Sequence, residues 1–87
     1  MKAIARALIH ATAFLALAGD DVVDPDAAVR ALEDIGHFLH GCTSEEIAIL
    51  RTVVTEERAQ AAQFYTRQEV LAFYDSFLSN FGLGDRA

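Results

Sequence analysis

The sequence has a single cysteine, a single proline, no tryptophan and few basic residues. With Cys42 alone, the chain cannot form an intrachain disulfide, which excludes the disulfide-stapled class of small secreted domains. Seven Lys and Arg residues stand against thirteen Asp and Glu residues, so the net charge is −6. Such a chain lacks the basic surface that binds a polyanion, and no nucleic-acid partner is predicted.

The hydrophobic content is high for an acidic chain of this length. Hydrophobic residues make up 53% of the 87 residues, which excludes intrinsic disorder because disordered chains combine low hydrophobicity with high charge. The length predicts one domain over 1–87. Because a domain of this size hides only about 60–65% of its unfolded surface, we expect apolar surface to remain for partners.

The first eighteen residues allow two interpretations. Lys2 and Arg6 are followed by an apolar run that ends in Ala16-Leu17-Ala18, and this order is typical of a secretory signal peptide. The run is interrupted by polar residues and is shorter than the ~20 apolar residues that span a membrane. We therefore predict a cytoplasmic protein without membrane contact whose first helix covers 2–18, with a signal peptide at 1–18 as the alternative.

This first helix is predicted to be apolar on two sides. One face carries Ile4, Ala7, Leu8, Ala11, Leu15 and Ala18. The opposite side carries Lys2 and Arg6 together with Ile9, Ala13 and Leu17. A helix that is apolar on two sides lies centrally in a bundle or is shared between subunits. We therefore predict a homodimer whose contact includes Ile9, Ala13 and Leu17.

Capping signals predict two further helices, over 25–40 and 44–64. Asp24 followed by Pro25 combines an N-cap residue with the residue preferred at the first helical position. Thr43 and Glu46 have the spacing of a capping box, in which each side chain bonds the backbone amide of the other residue.

A fourth helix is predicted over 67–81. Thr66 and Glu69 have the spacing of a second capping box, which predicts a break near Tyr65. A continuous helix over 44–80 is the alternative, because no glycine or proline enforces the break. Asn80-Phe81-Gly82-Leu83 predicts a glycine-terminated helix end on which Leu83 folds back. The fold class is therefore all-α, a compact bundle of about four helices.

The strongest metal-ligand candidates lie on the second helix. Glu33, His37 and His40 share one helical face, and Cys42 follows two residues later. Carboxylate, imidazole and thiolate groups are the ligands that zinc prefers, and His10 is the candidate donor from another helix. The spacing matches no established zinc motif, so a solvated helix face is the alternative interpretation. No cofactor is predicted.

The sequence contains no complete catalytic constellation, and we predict that the protein is not an enzyme. Cys42 precedes a helix N-terminus, and His40 is near in sequence, which together favour a reactive thiolate. An orienting partner and an oxyanion site are not evident. The alternative interpretation is a small apolar residue in a turn.

Glu57 occupies a position where the helical pattern calls for an apolar residue. It falls on the same stripe as Leu50, Val54 and Ala61. A carboxylate buried there must be paired, hydrogen-bonded or protonated. We expect a bond to a tyrosine hydroxyl or to His10, a polar window in a binding surface, or exposure through rotation of the helix.

These features favour a small acidic module for protein–protein interaction, a homodimer that also binds another protein. One alternative is a metal- or small-ligand-binding protein that uses Glu33, His37 and His40 or the aromatic stripe from Phe64 to Phe81. That stripe contains six of the eight aromatic residues, and at helical spacing it equally predicts core packing. Another alternative is an inhibitor or immunity-type protein that binds a basic partner.

Overall fold

The structure is a computed structural model that describes residues 1–64 and 67–83. These residues form five helices: α1 (Lys2–Leu17), α2 (Pro25–Leu39), α3 (Ser44–Phe64), α4 (Gln68–Asp75) and α5 (Phe77–Asn80). No described residue is in a β-strand, so the predicted all-α bundle is confirmed. None of the helices in the described part of the chain combines the length and the apolar character needed to cross a membrane.

Side-chain capping bonds confirm two of the predicted helix starts. The Asp24 carboxylate accepts a hydrogen bond of 2.9 Å from the Ala27 amide, and Pro25 is the first residue of α2. The Glu46 amide donates to Thr43 Oγ1 at 3.1 Å, and the Thr43 amide donates to Glu46 Oε1 at 2.8 Å. These bonds satisfy amides that a helix start leaves without intrahelical partners.

α3 and α4 are separate helices, so the alternative of one continuous helix is wrong. α3 ends at Phe64, and Arg67 precedes α4 with extended backbone angles of φ −72° and ψ 122°. Arg67 is the N-cap residue, one position later than predicted, and its guanidinium donates to Glu69. Thr66 and Tyr65, on which the predicted capping box and break fall, lie outside the described residues.

The helix predicted over 67–81 is interrupted at Ser76, which separates α4 from α5. The Ser76 hydroxyl donates to the Ala72 carbonyl at 2.8 Å, and the same carbonyl accepts from the Ser76 amide at 3.0 Å. A serine that bonds back to the carbonyl four residues earlier bends a helix. Phe77 and Leu78 follow the bend, and both are buried in the core.

The chain leaves α5 through Gly82, whose φ of 73° lies in the left-handed region that glycine favours. The Leu83 amide donates to the Leu78 carbonyl at 2.8 Å, and the Gly82 amide donates to the Ser79 carbonyl at 3.0 Å. This pair of bonds is the Schellman motif. Leu83 is fully buried, which confirms the predicted helix end.

The hydrophobic core lies between α1, α3 and the α4–α5 segment. α1 packs against α3, α2 and α4, whereas α2 packs chiefly against α1. The core cluster consists of Ala5, Ile9, Leu39, Ile47, Leu50, Val53, Val54, Phe77, Leu78 and Leu83. From α2, this cluster includes only Leu39. Most of α2 does not pack against α4–α5.

α1 turns a different side toward the core from the one predicted. Ile9 is 0% exposed and packs in the core cluster of the single chain, so the prediction that it forms a homodimer contact is wrong. Ala13 and Leu17, the other two predicted contact residues, are half-buried. The exposed side carries Ile4 and Phe14, which are 69% and 55% exposed.

Ion pairs explain this rotation of α1. The basic residues along one edge of the helix bond to carboxylates of α3, and they are Lys2, Arg6 and His10. Four-residue spacing places them on one side of the helix. Because Ile9 lies next to that edge, the bonds to α3 turn it inward and leave Ile4 and Phe14 outside.

Candidate functional site

A largely apolar cavity of about 530 Å³ lies between α2 and the α4–α5 segment, with α1 at its base. We call it the aromatic cavity, and it is lined by Thr12, Ala16, Val29, Leu32, Glu33, Gly36, His37, His40, Phe73, Phe77, Asn80 and Phe81. Small-molecule sites have volumes of about 300–1,000 Å³ and a similar mixture of apolar and polar groups. The histidine face of α2 and the aromatic stripe, which were separate candidates in the sequence, therefore line one site.

Gly36 and His40 hold α2 against one end of α5. A Cβ on Gly36 would lie 3.0 Å from Cδ1 of Phe81, so the missing side chain allows the Phe81 ring to approach the helix. His40 Nε2–H donates to the Phe81 carbonyl at 2.7 Å. Because a carbonyl oxygen only accepts, this bond places the proton on Nε2. The cavity opens beyond these contacts, where α2 and α4–α5 separate.

Phenylalanine rings form one wall of the aromatic cavity. The Phe73 and Phe77 centroids are 5.6 Å apart at 89°, and those of Phe77 and Phe81 are 5.3 Å apart at 71°. This edge-to-face geometry is favourable for aromatic pairs. Phe77 is buried in the core, Phe73 and Phe81 are half-buried at the cavity, and Phe64 is exposed. The aromatic stripe is therefore divided between core, cavity wall and surface.

The structure does not assemble the predicted metal site. Glu33 and His37 are exposed at the cavity rim, whereas His40 is bonded to a backbone carbonyl. His10 lies on another side of α1, because the rotation of that helix directs it to Glu57 on α3. Within residues 1–64 and 67–83, no three His, Cys, Asp or Glu side chains form a group that could hold a metal ion.

Cys42, the remaining candidate ligand, lies half-buried in the turn between α2 and α3. It packs against the core cluster, and its amide donates to the Leu39 carbonyl at 3.1 Å. His40, the residue expected to activate its thiol, donates from Nε2 to the Phe81 carbonyl. This position is typical of a cysteine that serves as a small apolar packing residue.

A second polar cluster joins α1 to α3 around Glu57, which is 6% exposed. One carboxylate oxygen accepts a hydrogen bond from Arg6 at 2.5 Å, and the other accepts from His10 Nε2 at 2.6 Å. Arg6 also donates to Glu56 at 3.1 Å, and Lys2 donates to Glu56 at 3.0 Å. The bond to His10 was among the predicted alternatives, whereas Arg6 and Lys2 were missed. Their four-residue spacing was the signal that could have found them.

The Glu57 cluster also lines a cavity of about 600 Å³, together with Gln60, Phe64 and Tyr74. Both oxygens of Glu57 are used by Arg6 and His10, so the charged groups of this cavity satisfy one another. No buried side-chain nitrogen or oxygen in the described residues lacks a hydrogen-bond partner. These bonds hold α1 against α3, so the polar groups of this cavity stabilise the fold. We therefore place the candidate ligand site in the aromatic cavity.

The ion pairs between α1 and α3 shift two pKa values. Hydrogen bonds from Lys2, and then from Arg6, lower the pKa of Glu56 below its ordinary value of 4.5. The hydrogen bond to Glu57, followed by the one to Glu56, raises the pKa of Arg6 above its ordinary value. Both shifts favour the charged forms and therefore the native contact.

We expect Glu56→Gln to flatten the acid side of the stability–pH profile. Since folding lowers the pKa of Glu56, its contribution is complete above the unfolded value of 4.5 and is lost as the pH falls through the folded value. Urea unfolding from neutral pH down to about pH 3 measures this. The control is Asp34→Asn, which changes an exposed carboxylate of α2 that makes no ion pair within the described residues. An equal flattening in both variants contradicts the assignment to Glu56.

A scan against protein-family models and searches of curated proteins and of solved structures found no match to this chain.

Proposed function

We propose that this protein is a small helical interaction module that forms a homodimer through the outer face of α1. This face consists of five exposed apolar residues, Ala3, Ile4, Ala7, Ala11 and Phe14. An apolar side of a helix is normally covered by the rest of the protein or by a partner. The exposure of this uncharged stripe is the observation that carries the proposal, because the single chain covers only the opposite side of α1.

The order of residue sizes along the outer face of α1 suits a second copy of the same helix. The stripe reads large, small, small, large through Ile4, Ala7, Ala11 and Phe14. In an antiparallel pair related by a two-fold axis, each Ile4 lies opposite Phe14 of the partner subunit, and the alanines meet in the middle. Small central residues allow the two helix axes to approach closely. A two-fold interface requires this kind of self-complementarity.

The charge distribution supports contact at this face. Each chain has a net charge of −6, so two copies repel one another at long range. The outer face of α1 contains no Asp or Glu, and a contact there keeps the acidic groups out of the interface. Added salt screens the remaining repulsion, so the dimer should become tighter as ionic strength rises.

The acidic residues give less support to a basic partner protein than the net charge suggests. Asp24 and Glu46 accept capping hydrogen bonds, and Glu56 and Glu57 are paired with basic groups of α1. These carboxylates cap helices or form ion pairs within the chain. The inhibitor or immunity-type alternative therefore receives no specific support from their placement.

Sedimentation equilibrium of the wild type and of Ile4→Glu/Phe14→Glu tests the homodimer proposal. We expect the wild type to sediment with twice the mass of the chain at high concentration. The double variant should stay folded by circular dichroism, and its dimer dissociation constant should rise about 100-fold or more, because two buried charges per subunit would replace the apolar contacts.

Val22→Glu/Phe64→Glu is the matched control, since it adds the same charge at two other exposed apolar residues. We expect this control to dimerise as the wild type does. A wild type that remains monomeric at every accessible concentration overturns the homodimer. Dissociation caused by the control, and not by the α1 variant, overturns the location of the contact.

A further inference from the structure

We infer that the aromatic cavity binds a compact apolar ligand that carries a protonated amine. This inference is independent of the proposed homodimer, because the cavity lies on the other side of α1 from its outer face. Thr12 and Ala16 form the α1 part of the lining, whereas Ile4 and Phe14 do not contribute to it. The inference rests on the shape of the cavity, on its charge and on the balance of its hydrogen-bonding groups.

The cavity walls provide an apolar slot that an aromatic ring can enter. Phe73 and Phe81 lie on one side, and Val29 and Leu32 of α2 lie on the other. Val29 is 55% exposed, although it is a large apolar residue next to the opening. A bound ring system would cover this exposed surface and the half-buried phenylalanines, and removal of apolar area from water favours binding.

The charge of the lining favours a cation. Glu33 is the only Asp, Glu, Lys or Arg residue among the described lining residues, and its carboxylate is at the exposed rim. The faces of the neighbouring phenylalanine rings carry the negative part of the ring quadrupole, which also attracts a cation. A carboxylate-bearing ligand would meet repulsion from Glu33 at the same opening.

Thr12, Asn80 and Glu33 each present a hydrogen-bond acceptor in the lining, whereas His37 has both a donor and an acceptor nitrogen. The Thr12 hydroxyl uses its proton on the Leu8 carbonyl at 2.8 Å, so toward the cavity it can only accept. Asn80 donates one Nδ2 hydrogen to Ser76 Oγ at 3.0 Å, which leaves its second amide hydrogen as a donor and its side-chain carbonyl as an acceptor. Glu33 also accepts only. A ligand group that bonds Thr12 and Glu33 must donate, and an ammonium group supplies three donors and no acceptor.

Three naphthalene derivatives of equal ring size test the inference: 1-naphthylmethylamine, 1-naphthylmethanol and 1-naphthylacetate. Titrations followed by two-dimensional NMR give the affinities and locate the shifted resonances. We expect the amine to bind about 2–5-fold more tightly than the alcohol, the range of an exposed charge pair. The carboxylate should be the weakest of the three. Shifts should centre on Val29, Phe73 and Phe81.

Glu33→Gln should remove the preference for the amine over the alcohol while leaving the alcohol affinity unchanged. Asp34→Asn is the matched control, because it removes the same charge from the neighbouring position of α2, which does not line the cavity. Ala16→Phe should fill the cavity and weaken binding of all three probes. If this variant fails to fold, intermolecular NOEs between the naphthyl protons and the Val29 methyl groups of the wild type replace it.

Each outcome decides the inference. Binding of the amine with shifts at the cavity and loss of preference in Glu33→Gln alone support it. It is overturned if none of the probes binds up to its solubility limit, or if the carboxylate binds as tightly as the amine. Equal effects of Glu33→Gln and Asp34→Asn overturn the assigned role of Glu33, since only the net charge of the chain would then matter.

Discussion

Replacing Ile9 with alanine is expected to lower the free energy of unfolding by about 2–4 kcal/mol. Ile9 is 0% exposed and belongs to the core cluster, so truncation removes buried methyl groups and leaves a cavity that the surrounding helices fill only in part. Urea unfolding monitored by circular dichroism measures the loss. All variants are compared at one protein concentration, because a homodimer makes the apparent stability depend on concentration.

Ile4→Ala is the matched comparison for Ile9→Ala, since both make the same chemical change in α1. Ile4 is 69% exposed in the single chain, so its truncation should change the stability of the monomer by about 0.5 kcal/mol or less. It should instead weaken the proposed homodimer. A larger loss of monomer stability for Ile4→Ala than for Ile9→Ala contradicts the burial of Ile9 and the exposure of Ile4.

The double variant Arg6→Ala/His10→Ala is expected to lose about 2–3 kcal/mol of stability, because it leaves the Glu57 carboxylate buried without a partner. Removing one partner of a fully enclosed ion pair lowers the free energy of unfolding by more than about 2–3 kcal/mol. Here the loss is smaller, because the truncated side chains also let water from the neighbouring cavity reach Glu57. Both substitutions introduce alanine, the residue with the highest helix propensity, so a lower helix propensity does not cause the loss of stability. The measurement is again urea unfolding at neutral pH.

Glu57→Leu in the double-variant background should restore stability to within about 1 kcal/mol of the wild type, because an apolar side chain removes the unpaired charge. Lys2→Ala is the control for loss of an exposed pair, with an expected cost of about 0.5 kcal/mol or less. The triple variant shows whether the stability is lost because the Glu57 charge has no partner or because α1 packs less well in general. If Glu57→Leu fails to rescue the double variant, the burial of the charge is not the cause of the loss.

Local signals in the sequence were sufficient for most of the helix boundaries. The Asp24 cap, the Thr43–Glu46 capping box and the turn at Gly82 all formed as predicted. Each of these bonds joins residues within a few positions of each other, so the pattern of side chains along the chain contains the whole interaction. The break at Ser76 was missed, because a serine in a helix can point to solvent as readily as it bonds back to the preceding turn.

The candidate site was predicted only in parts. The sequence identified the face with Glu33 and His37 and the aromatic stripe with Phe73 and Phe81, but it assigned them to two different hypotheses. Their meeting in one cavity depends on how α2 leans away from α4–α5 while Gly36 lets Phe81 approach at one end. Distances between helices that are far apart in sequence are not encoded in the periodicity of either helix.

Patterns along the chain were sufficient to predict the all-α class, the starts of α2 and α3, the end of α5, and the conflict between a carboxylate at position 57 and its apolar surroundings. The side of α1 that is covered depends on contacts between helices, and those patterns did not predict it. Both sides of that helix are apolar, so hydrophobic burial scarcely distinguishes the two rotations. The ion pairs from Arg6 and His10 to Glu57 select one of them, and such pairs exist only after α1 and α3 have come together.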